Sequence, residues 1–87
     1  VLKSNRELYE FMGVLTSRLR ALGATTLEVV VETARHHAAG MNTEFLGESR
    51  IALRRVLKDG RRVLTPADLD EIRDIVSQID AAFGGQE

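Results

Sequence analysis

Apolar residues recur along most of this chain at alternating spacings of three and four, the period of helices that each bury one face. Leu8, Met12, Leu15, Leu19 and Leu22 follow that spacing and predict a first helix over about 5–22. Ser4 and Glu7 supply a Ser-x-x-Glu start, and Gly23 supplies the stop. Phe11, Val14 and Ala21 broaden the apolar stripe on one side, and Tyr9 and Thr16 broaden it on the other. A band that wide suits burial against two neighbours, or against one neighbour and a second chain.

Leu27, Val30, Val31, Ala34 and Ala38 predict a second helix over about 26–39, despite the β-branched run Val29-Val30-Val31. Thr25 and Glu28 repeat the capping-box pattern, and Gly40 ends the segment. A third helix over about 43–58 follows from Phe45, Leu46, Ala52, Leu53, Val56 and Leu57. Asn42 or Thr43 is its expected cap, and Asp59-Gly60 its close. The fourth, over about 66–83, has the strongest start in the chain: Thr65 as cap, Pro66 at the first helical position, Asp68 in the first turn. Leu69, Ile72, Val76, Ile79 and Phe83 form its seam, broadened by Ile75 and Ala82, and Gly84-Gly85 stops it. Short connections between such helices predict an all-α, compact four-helix domain, antiparallel and bundle-like, with residues 1–87 as a single domain.

Composition narrows the chemistry more than it names a function. The chain has 87 residues, no cysteine and no tryptophan, so thiolate metal sites, disulfides and thiol nucleophiles are excluded. Single glycines at helix ends replace any phosphate-cradling loop, and neither a Gly-x-Ser-x-Gly nor a His-Glu-x-x-His pattern occurs. The expectation is a non-catalytic protein without a cofactor. Val1-Leu2-Lys3-Ser4 lacks the charged and apolar regions of an export signal, and no apolar run approaches the ~20 residues that span a bilayer. A cytoplasmic location without membrane contact is expected, given also the absence of cysteine.

His36-His37 is the obvious pair for acid–base or metal chemistry. Adjacent helical residues diverge by about 100°, so one ion cannot readily take both rings. Glu28, Glu32 and His36 form a polar stripe at spacings of four, while the Glu-x-x-His pattern of di-iron bundles is absent. The stretch His36-His37-Ala38-Ala39-Gly40 resembles the histidine region of histidine phosphotransfer domains, which are four-helix bundles with a solvent-facing histidine. Gly40 stands four residues after His36 as that resemblance requires, but Ala39 occupies the position of the family's lysine. A phosphotransfer or metal-site bundle is thus the third-ranked function.

Charge is segregated along the chain. Residues 50–62 carry Arg50, Arg54, Arg55, Lys58, Arg61 and Arg62 against Asp59, whereas residues 63–87 carry Arg73 against six carboxylates. This basic patch either pairs with the fourth helix's own carboxylates or receives an acidic partner. The turn Gly40-Met41-Asn42 before a basic helix also fits the outline of a helix-turn-helix nucleic-acid binder using residues 50–62. That second-ranked function is disfavoured by Glu44 and Glu48 in the helix's first turns and by a net charge of −1. The leading expectation is a small helical protein–protein interaction or regulatory module that meets a protein partner and forms a homodimer. Its candidate interface is the extra width of the first helix, Phe11, Val14, Arg18 and Ala21. Gly13 and Ser17 would let another backbone approach that edge.

Overall fold

Four α-helices account for most of the chain: α1 (Asn5–Ala21), α2 (Thr25–Arg35), α3 (Asn42–Asp59) and α4 (Pro66–Phe83), with a short 3₁₀ segment, His36–Ala39, between α2 and α3. The computed structural model describes residues 4–83, with the backbone alone at Phe83. The expected core place of the Phe83 side chain and the Gly84-Gly85 stop lie outside the described residues. The domain is all-α, and its adjacent helices are in contact: α1 packs on α2, α2 on α3, and α3 on α4, with the 3₁₀ segment against α2 and α3. The fold measures 35 × 25 × 20 Å. No helix among the described residues is long and apolar enough to cross a membrane.

The seams meet in one core. Leu8, Met12, Leu15 and Leu19 of α1 join Leu27, Val31 and Ala34 of α2, Phe45, Leu53 and Val56 of α3, and Ile72, Ile75, Val76 and Ile79 of α4. Two further buried groups broke the expected pattern. Leu64, in the α3–α4 connection, turns inward because the Val63 and Leu64 amides both donate to the Gly60 carbonyl and fold the segment back. Ser49 sits in the middle of the α3 core face with no exposed surface, and its Oγ has no hydrogen-bond partner among the described residues.

Helix ends follow the sequence in some places and depart from it in others. The Glu7 amide donates to Ser4 Oγ at 3.3 Å, the predicted start of α1. At its end Gly23 takes φ 75°, the Gly23 amide donates to the Arg20 carbonyl, and the Ala24 amide donates to that of Leu19. That pair of bonds is a Schellman stop, which only a residue tolerant of positive φ supports cheaply. The stop leads straight into α2, so Ala24 and not Thr25 is the cap, and no side chain satisfies that end. Glu28, expected to reach back to Thr25, instead accepts from Arg20 Nε at 2.6 Å.

Three more positions depart from the sequence pattern. The second helix does not stay α-helical to Ala39: it tightens at His36 to three residues per turn, which rotates Ala38 off the core face and leaves it exposed. Neither Asn42 nor Thr43 caps α3; the cap is Met41, and Asn42 Oδ1 accepts from Asn5 Nδ2 at 2.8 Å. Ala82, placed on the α4 seam by its spacing, is exposed one residue before the described chain ends. The start of α4 matches its sequence fully. Asp68 N donates to Thr65 Oγ1 at 3.1 Å and Thr65 N to Asp68 Oδ2 at 3.2 Å, a reciprocal capping box with Pro66 inside it.

Candidate protein interface on the first helix

The α1 and α4 backbones are not closely apposed, although their side chains share the core. Between them runs a cleft of about 310 Å³ whose floor is Phe11, Leu15 and Ile72 and whose rim carries Glu7, Glu10, Arg18, Asp68 and Glu71, with Val14 at its lip. Of the candidate interface residues, Phe11 is half-buried and packs against the core, so part of it belongs to the bundle itself. Val14 is 63% exposed. Ala21 is exposed, and Arg18 keeps half of its side-chain surface in water.

One guanidinium ties the two sides of the cleft together. Arg18 Nη1 donates to Asp68 Oδ1 across the seam. Burial of Asp68 alone would raise its pKa. The Thr65 amide and hydroxyl, followed by the Arg18 charge and hydrogen bond, outweigh that and hold the carboxyl below the usual aspartate range. Asp68 thereby caps α4 and anchors α1 with the same carboxylate.

The opposite flank of α1 is partly filled by Arg35. Arg35 reaches from α2 across α1, its guanidinium 3.9 Å above the centre of the Tyr9 ring and its Nε donating to the Tyr9 carbonyl at 3.0 Å. The space over Gly13 belongs to this arginine, because a Cβ there would stand 2.5 Å from Arg35 Nη2. Gly13 therefore admits a side chain of its own domain, where its size had suggested room for another backbone. Thr16, on the same flank, is buried and donates to the Gly13 carbonyl at 2.8 Å.

The basic segment divides in two. Arg50 Nη1 lies 3.2 Å from Asp80 Oδ1, and Arg54 Nη2 lies 3.0 Å from Asp80 Oδ2, the cross-helix pairing of α3 with α4 that the charge segregation allowed. Arg55 pairs within its own helix with Asp59 at 3.3 Å. Lys58, Arg61 and Arg62 are exposed and make no ion pair among the described residues.

Neither histidine joins a set of three or more ligating side chains among the described residues. His37 Nδ1 is hydrogen-bonded to Glu44 Oε1 at 2.8 Å, and His36 is exposed on the 3₁₀ segment. The polar stripe is divided between arginines, Glu28 being held by Arg20 at 2.6 Å and Glu32 by Arg35 at 3.1 Å. No group of three or more histidines and carboxylates that could hold a metal ion occurs among the described residues. In comparisons with known proteins, no family model, no curated protein and no solved structure matches the chain.

Proposed function

We propose that this protein is a non-catalytic helical interaction module that works by self-association through the outward face of α1. The observation that carries this is Val14, 63% exposed at the lip of a cleft with an apolar floor. A small domain with a marginal core gains from covering such a face with a second chain. On α3, Arg54 is engaged by Asp80 and Arg55 by Asp59, which leaves less of that helix's charge for an acidic partner. Sedimentation equilibrium of the pure protein over a wide concentration range tests the proposal. A mass rising to twice 9.7 kDa is expected, and 9.7 kDa throughout would overturn it.

A second function has one observation in its favour. Lys58, Arg61 and Arg62 make no ion pair among the described residues at the α3–α4 corner, the remnant of the basic patch open to an acidic partner or a phosphate backbone. A salt-dependent shift of duplex DNA that Arg61→Ala and Arg62→Ala abolish would favour it over self-association.

A further inference from the structure

The outward line of α1 is complementary to itself when reversed. Glu10, Val14 and Arg18 are spaced by four, so they lie within about 40° of one line along the helix, with the two charges about 6 Å above and below the valine. All three are exposed. Ala21 and Glu7 continue that line at seven residues on either side of Val14. On one flank Arg35 fills the space over Gly13, and on the other the Arg18–Asp68 bridge crosses the cleft.

Resting on the self-association proposed above, we infer that the partner on this face is a second copy of α1, antiparallel, with the two-fold axis passing beside Val14. A two-fold axis at that level sets residue 14 + k opposite residue 14 − k of the partner. Val14 then meets its own counterpart at the centre. Arg18 of each chain stands level with Glu10 of the other, giving two symmetric ion pairs. Ala21, small and exposed, is level with Glu7 of the other chain, which leaves room for the longer side chain. A parallel arrangement would set Arg18 beside Arg18 and Glu10 beside Glu10, and like charges facing each other disfavour it. Only Nη1 of Arg18 is engaged by Asp68, so its other donors are available to a carboxylate from outside. Glu10 holds Arg6 at only 3.4 Å with 62% of its side-chain surface exposed, so it too has acceptor capacity to spare.

Charge reversal reads out the register. Glu10→Arg and Arg18→Glu should each weaken the homodimer about tenfold, because each sets two like-charged pairs across the axis. An equimolar mixture of the two variants should form a heterodimer, since every cross-chain pair is then of opposite sign. Native mass spectrometry with one variant isotope-labelled identifies it. Arg18→Glu also faces Asp68 within its own chain, so a second measurement leaves that pair intact. The chain has no cysteine, and Val14→Cys should oxidise to a disulfide-linked dimer while Val29→Cys, exposed on α2, should not. A wild-type dimer whose variants neither exchange into heterodimers nor cross-link at position 14 overturns this register and leaves self-association standing. A wild-type monomer at every concentration overturns both.

Discussion

Arg18 and Asp68 join α1 to α4, two helices whose backbones are not closely apposed. The arginine belongs to the exposed face of α1, and the aspartate belongs to the capping box that starts α4. A single carboxylate therefore couples a local helix start to a tertiary contact 50 residues away in sequence. It also fixes the wall of the cleft beside Val14, so the shape of the candidate interface depends on its charge.

That coupling has a pH signature. The Asp68 pKa is lowered in the folded chain, so ionised Asp68 favours folding. Its contribution is present in full above the ordinary aspartate value of about 3.9 and is lost as pH falls through the lower folded value. Wild-type protein should be more stable than Asp68→Ala at neutral pH, and the gap should close in acid. Denaturant melts of both chains from pH 7 down to pH 2 measure it; a gap that stays constant to the acid end would contradict the assignment.

The cap itself is separable. Thr65→Ala removes the acceptor for the Asp68 amide and should cost about 1 kcal/mol in a chemical melt. Thr25→Ala, at a position that looks equivalent in sequence, should fall within about 0.5 kcal/mol of wild type, because Thr25 is exposed and makes no cap bond.

The contrast between those two threonines shows what the pattern of the chain reveals and what it conceals. The seams around Leu15, Phe45 and Ile72, the Gly23 stop and the Thr65-Pro66 start were legible, since each depends on neighbours within a turn or two. The Thr25 and Asn42 caps were not, because the Schellman turn at Gly23 and the hydrogen bond from Asn5 divert them. Leu64 and Ser49 were missed for opposite reasons: one is an apolar residue in a connection, the other a polar residue in a core. At the candidate interface, exposure of Val14 and Ala21 followed from helical phase. The filling of the space over Gly13 by Arg35 did not, since it comes from a residue 22 positions away on another helix.

Ser49 offers a test in the opposite direction to most substitutions. Its hydroxyl is fully buried with no partner among the described residues, so it bears a desolvation cost that none of them offsets. Ser49→Ala keeps the size of the site nearly unchanged, raises helix propensity and should stabilise the domain by about 1 kcal/mol. A loss of stability by more than about 1 kcal/mol would mean that the hydroxyl has a bond worth keeping.

Gly60 closes α3 because of space, not of dihedral angle. A Cβ there would stand 2.7 Å from the Val56 carbonyl oxygen and 3.3 Å from methyl groups of Leu27 and Leu64. Gly60→Ala should destabilise by about 1–3 kcal/mol through overpacking, the Leu64 return being displaced. A thermal melt equal to that of wild type would contradict this packing.

Val14 stands at the middle of the outward face of α1, and Val14→Glu tests self-association through that face most directly. The side chain is exposed, so the charge should leave the fold intact, whereas in a pair it would set two carboxylates against each other at the axis. The measurement is sedimentation equilibrium of the variant beside wild type at one concentration, with far-ultraviolet dichroism on the same samples. A wild-type dimer and a Val14→Glu monomer of undiminished helicity are expected. A variant that remains a dimer, or that loses its helix instead of its partner, would contradict the claim that this face is where two chains meet.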